Sequence, residues 1–130
     1  MNPLFESMNA AASGLHAQGF RIRIVSENIA NADTPGYHRK TLAFSNVFDA
    51  KAGAERVAVD RIELDGSPLE EKYDPAHPLA DENGYVALSN VNLMIEMADA
   101  REASRSYEAN LAAFRQAREM YSSLLDLLKR

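Results

Sequence analysis

The chain has 130 residues, 46% of them hydrophobic and 25% charged, with a formal net charge of −5 at neutral pH. That length suffices for one modest core and not for two ordinary domains, and the acidic balance disfavours nucleic acid or an anionic membrane, which require a positive field. With no cysteine, disulfides, thiolate catalysis and Cys-ligated zinc are excluded, while the redox compartment stays open.

The first residues carry neither the basic start nor the apolar centre of a secretory signal: the longest apolar run there is Ala10-Ala11-Ala12. The expectation is a protein that leaves the cytoplasm, if at all, without a cleavable signal peptide. Leu4, Met8, Ala11, Leu15, Gln18, Ile22, Val25, Ile29 and Ala32 follow alternating steps of four and three, a heptad seam with one polar gap. Asn2 and Pro3 suit the cap and first position of a helix predicted over about 3–31. Gly14 and Gly19 weaken it by roughly 2 kcal/mol together relative to alanine.

The stretch Ser26 to Tyr37, SENIANADTPGY, holds no nucleophile, base or metal cluster. Asn28 and Asn31 lie where amide side chains satisfy the orphan carbonyls of a helix end or tie to a neighbouring helix. Thr34-Pro35-Gly36-Tyr37 fits a type II turn. This stretch therefore reads as architecture or docking.

Residues 38–90 change character, with Pro68, Pro75 and Pro78, a Val57-Ala58-Val59 alternation, and Asn83-Gly84, a type I′ hairpin signal. A small β-rich or partly disordered lobe is expected there. From Tyr85 onward there is neither Gly nor Pro, and a second seam runs Leu93, Met97, Ala100, Ser104, Tyr107, Leu111, Phe114, Arg118, Tyr121, Leu125 and Leu128. Asn90 or Asn92 caps this helix, Glu96 and Asp99 complement its positive end, and Lys129 and Arg130 its negative end.

The fold class that follows is mainly α: two long terminal helices packing as a coiled-coil-like pair, antiparallel or staggered, around a looped-out centre. Ordering by segment gives 1–37 as helix and turn, 38–90 as the central hairpin and loop lobe, and 91–130 as the second helix, all in one unit. Ala113, Ala117, Met120, Leu124 and Leu127 form a stripe out of phase with the seam, and Ala17, Phe20 and Ile24 occupy a second face of the first helix. Two helices alone leave such a surplus uncovered, and exposed apolar surface marks an interface. The expected assembly interface is Leu4, Met8, Leu15, Ile22, Val25, Ile29, Leu93, Met97, Tyr107, Leu111, Phe114, Tyr121, Leu125 and Leu128.

Catalytic chemistry finds no support. His77 near Asp74, Asp81 and Glu82 matches no compact ligand spacing, and the loop lacks the later bidentate Glu of a calcium site. His16 and His38 are isolated, and the glycines are too dispersed to cradle a phosphate. The expectation is no catalytic residue, no metal, no cofactor, no nucleic acid and no small-molecule substrate. His38-Arg39-Lys40 reads as a solvated loop or a protein contact, and Arg101, Arg105 and Arg115, interleaved with Glu102, Glu108 and Glu119, as a solvent-facing or inter-subunit charged face.

Asn28-Ile29-Ala30-Asn31 followed by Thr34-Pro35-Gly36-Tyr37 resembles the amino-terminal motif of the axial proteins of the bacterial flagellum. The blocks Tyr73 to Val86, Asn90-Val91-Asn92, Glu96-Met97 and Ala103-Ser104-Arg105-Ser106-Tyr107-Glu108-Ala109-Asn110 are similar to its proximal-rod members, over essentially the whole chain. The resemblance implies a non-enzymatic drive-shaft subunit in the basal-body rod, in the periplasmic space, exported by the flagellar type III apparatus. Its implied partners are other rod proteins, copies of itself, the export apparatus, the inner-membrane ring and hook-basal-body proteins. The alternatives are another rod or hook protein of the same family, or a helical adaptor module.

Overall fold

The computed structural model describes residues 2–51 and 53–129. Asn2 accepts the Leu4 N–H at 3.0 Å through its side chain, and Pro3 occupies the first helical turn, so helix α1 starts where its cap chemistry dictates. It spans Pro3–Ala30. Asn31 stops it: its side chain donates to the Glu27 carbonyl at 2.9 Å and accepts from the Thr34 hydroxyl at 3.1 Å. The Tyr37 N–H then closes on the Thr34 carbonyl at 3.2 Å with Gly36 at φ 75°, the type II turn that Pro-Gly chemistry requires.

The centre is a long antiparallel hairpin, β1 (Lys40–Asp49) on β2 (Ala54–Leu64), and a short pair, β3 (Glu71–Tyr73) on β4 (Tyr85–Ala87). Ala43 pairs with Arg61 but Phe44 pairs with Val59, so Asp60 has no cross-strand partner. This bulge shifts the phase of β2 by one residue. Val57, Val59, Ile62 and Leu64, out of step in sequence, thereby share the face of Leu42 and Phe44.

The Asn83-Gly84 expectation needs correction. The Asp81 side chain accepts the Asn83 and Tyr85 N–H groups, each at 2.9 Å, and Gly84 N–H closes on the Asp81 carbonyl at 3.0 Å. Only Gly84 of the two has positive φ, at 83°, whereas a type I′ turn needs both. The aspartate folds the chain into an Asx-type turn inside the loop from β3 to β4. Tyr73 and Tyr85 then meet edge to face across the strand pair, centroids 5.3 Å apart.

Asn92 caps helix α2, accepting the Met94 N–H at 3.0 Å, and the helix runs Leu93–Leu128. Contacts of Gly14 with Asn110, Gly19 with Tyr107, Arg21 with Asp99 and Asn28 with Glu96 ascend α1 while descending α2. The pair is antiparallel. Its buried line is Ala11, Gly14, Ala17, Ile24, Val25 and Asn28 against Glu96, Ala103 and Ala117. Ala17, Ile24 and Ala117, expected on surplus faces, are thus where the helices meet. The reason is steric: small side chains let the backbones approach, and the larger Leu15, Ile22, Leu111 and Phe114 flank the line half-buried.

Candidate functional site

The end of α1, the turn, the open end of the β1–β2 hairpin and the start of α2 converge on one polar cluster. Asn28 and Glu96 are its centre, 1% and 0% exposed. The Asn28 carbonyl oxygen accepts from the Tyr37 hydroxyl and the Lys40 N–H, both at 2.9 Å, and its amide donates to the Lys40 carbonyl at 2.9 Å and to Glu96 Oε2 at 3.3 Å. All four bonding positions of that amide are occupied, as burial demands. Glu96 Oε1 accepts from Arg39 Nε, and Arg39 also faces Asp65 Oδ2 at 3.7 Å.

Asn90 completes the cluster. Its side chain accepts the Arg39 N–H and donates to the carbonyls of Asp65 at 3.0 Å and Ser67 at 3.2 Å. Nearby, Ser89 donates to the Ala32 carbonyl and Gly36 N–H to the Ala87 carbonyl at 3.1 Å. Lys40 pairs with Glu27, and Arg21 with Asp99 and, at 3.3 Å, Glu102.

Titration behaviour reflects this packing. Burial alone lowers the Arg39 guanidinium, but its hydrogen bond to Glu96 and the charges of Glu96, Asp65 and Asp99 leave it above its ordinary value. Arg21 is likewise raised against its own burial by Asp99 and Glu102. Burial first, then the Glu27 and Glu96 charges, raise the Tyr37 phenol, with Lys40 opposing. Two hydrogen bonds from Ser67 and the Arg39 charge lower Asp65.

The basic triplet is therefore neither a solvated loop nor a free contact surface. Arg39 and Lys40 are spent inside the junction, and His38 Nδ1 lies 3.3 Å from the Asp65 carbonyl. In the sequence Glu96 reads as a dipole partner and as part of a family-like block, not as the buried partner of Arg39. The available signal was a lone carboxylate within Leu93-Met94-Ile95-Glu96-Met97, a run with no other polar residue.

Of the motif residues, Asn28, Asn31 and Tyr37 are half-buried or buried in the junction, Pro35 is half-buried, and Thr34 and Gly36 are exposed. Ser104 and Arg105 are exposed on α2, whereas Asn110 touches Gly14. Along the seam, Val25 is buried, and Leu4, Met8, Leu15, Ile22, Leu111, Phe114 and Tyr121 are half-buried. Ile29, Leu93, Met97, Tyr107, Leu125 and Leu128 are exposed. Exposure concentrates at the ends of α2: Met94 is 82% and Leu128 76% accessible, and every residue from Ser122 to Lys129 is exposed. No helix among the described residues is long and apolar enough to cross a membrane.

Two family models match: "Flagella basal body rod protein" over residues 8–38 and "Flagellar basal body rod FlgEFG protein C-terminal" over residues 82–127. The chain is similar to the flagellar basal-body rod protein FlgC of Agrobacterium fabrum, 51% identical with 99% of this chain and 98% of the relative covered. It is also similar to the FlgC proteins of Borreliella burgdorferi, 40% identical over 97% and 98%, and Aquifex aeolicus, 37% identical over 99% and 100%. The matched regions contain the two helices, the turn and most of the polar junction, and the chain belongs to the FlgC family of flagellar basal-body rod proteins, structural subunits rather than enzymes.

Proposed function

We propose that this subunit builds the proximal part of the rod by burying the uncovered faces of its two terminal helices against other rod subunits and copies of itself, and so transmits torque. The observation that carries this reading is the apolar surface at both ends of α2. A helix that exposes Leu124, Leu125, Leu127 and Leu128 together on one broad face is suited to burial against a neighbour, not to water. Neighbouring helices packing there in coiled-coil fashion divide shear among many seams. On this reading Ile29, Leu93, Met97, Tyr107, Leu125 and Leu128 are inter-subunit contacts, while Leu4, Met8, Leu15, Ile22, Leu111, Phe114 and Tyr121 serve both the helix pair and its neighbours. Export through the flagellar type III apparatus, a periplasmic position, and contacts with the inner-membrane ring and hook-basal-body proteins belong to the same proposal.

The test is Leu127→Glu/Leu128→Glu. Both positions are exposed, so the monomer should change by less than about 0.5 kcal/mol. In a strain lacking the parent gene, the expected result is unchanged helix content in the purified chain and loss of basal bodies and motility. Normal basal bodies in that strain would refute the reading.

A further inference from the structure

We infer that the Arg39–Glu96 pair is a positioning device that fixes the angle of the β1–β2 hairpin against the helix pair, and not a source of fold stability. The importance of that angle to a shaft subunit rests on the function proposed above; the positioning itself stands on geometry.

The first turn of α2 is built inside out. Leu93, Met94, Ile95 and Met97 are exposed, while the only carboxylate among them is 0% exposed. Desolvating a charge pair offsets most of its Coulomb attraction, so an apolar pair of similar size holds such a site at least as firmly. What an apolar pair lacks is direction. The planar Arg39 fork puts Nε on Glu96 and a terminal nitrogen 3.7 Å from Asp65, so one rigid group meets the start of α2 and the chain leaving β2. The second Glu96 oxygen takes Asn28 of α1 at 3.3 Å. Three elements are thus held at fixed angles about one guanidinium.

Elsewhere the hairpin meets α1 mainly through non-directional packing, with Val57, Ala58 and Val59 half-buried. Beyond the junction, the hydrogen bond from Val57 N–H to the Ser13 hydroxyl at 3.3 Å links the outer half of the hairpin to α1 among the described residues. Phe48, Ile62 and Leu64 remain exposed. Without the fork, the strands would pivot about their attachment near residues 39 and 65.

Four variants of the full-length chain test this: Arg39→Met, Glu96→Leu, the double variant Arg39→Met/Glu96→Leu, and Arg39→Lys. Each is measured by thermal melting and by amide hydrogen exchange over residues 40–64 and over both helices. Either single apolar change should lower the melting temperature by stranding a charge. The double variant should recover most of the loss seen in either single variant, short of the one buried Asn28 N–H that Glu96 no longer accepts, and should keep its helix protection, yet lose at least about tenfold of its hairpin protection. Arg39→Lys keeps the charge without the fork and should show the same selective loss. A double variant with parental hairpin protection, or one in which hairpin and helices loosen equally, overturns the inference. Motility of the double variant separates the two levels. If hairpin protection is lost and flagella still turn, positioning stands, and the requirement for a fixed lobe in the rod falls.

Discussion

Gly14 and Gly19 share one helix and predict opposite outcomes. In a helix interior, glycine to alanine gains about 1 kcal/mol from backbone entropy. At Gly19 the new methyl would meet only Tyr107 Cε2 at 3.8 Å, an ordinary contact, so the gain should be realised. At Gly14 it would meet three Asn110 side-chain atoms at 2.5, 2.8 and 2.9 Å. Relief requires Asn110 to turn away, losing its bond to the Ser106 carbonyl at 2.9 Å, worth about 1 kcal/mol, and entering a poorer rotamer at about 0.5–1.5 kcal/mol. The balance is about 0.5–1.5 kcal/mol of destabilisation at position 14. With an unfolding entropy near 2.1 cal/mol/K per residue, 1 kcal/mol corresponds to about 4 °C for this chain. Thermal denaturation followed by circular dichroism should therefore move up by about 4 °C for Gly19→Ala and down by about 2–6 °C for Gly14→Ala. Gly14→Ala/Asn110→Ala should recover most of the loss, because the obstructing amide is gone. Equal stabilisation at both glycines would refute the close helix approach.

Two further outcomes probe the turn and the junction. Gly36 has φ 75°, and the space that a methyl group would enter there is open, so Gly36→Ala should cost the bare left-handed penalty of about 1–2 kcal/mol, and Gly36→Asn less, in the same melting assay. For Tyr37, the raised phenol means that the fold favours the neutral form. That contribution is complete below the ordinary value of 10.0 and is lost as pH rises through the higher folded value. Comparing urea unfolding of the parent and Tyr37→Phe from neutral to strongly alkaline pH should show an extra alkaline loss in the parent alone, with the variant weaker by about 1 kcal/mol at neutral pH from the missing bond to Asn28. Parallel alkaline limbs would contradict the packing of that hydroxyl.

Both helices were legible because their signals are local: Asn2-Pro3 and Asn92 at the starts, Pro35-Gly36 beyond the end of the first, and a Gly- and Pro-free run through the second. The seam register was only half legible. Heptad spacing weights large residues, whereas the helices meet through Gly14, Ala17, Ala103 and Ala117, because close approach rewards small ones. The junction was hidden by distance along the chain, Arg39 and Glu96 being 57 positions apart. Asn28 was visible as a polar residue near a helix end and Asn90 as a candidate cap, yet their partners exist only once the hairpin folds back. A β-rich hairpin lobe was legible in residues 38–90, with Val57-Ala58-Val59 as its signal, but the bounds of the β1–β2 hairpin were not, since the apolar positions of β2 break strict alternation.

That broken alternation makes Asp60 a counting device. Ahead of it the branched apolar side chains of β2, Val57 and Val59, fall on odd numbers, after it Ile62 and Leu64 on even ones, and one supernumerary residue reconciles the two parities. Pairing Asp60 in register, with every residue kept, would turn Ile62 and Leu64 to the opposite side from Val57 and Val59, whereas excising it would leave the four in plain alternation on one side. Forced into register, the lobe would keep its composition and lose its single greasy flank, much as a frameshift preserves letters while destroying the message.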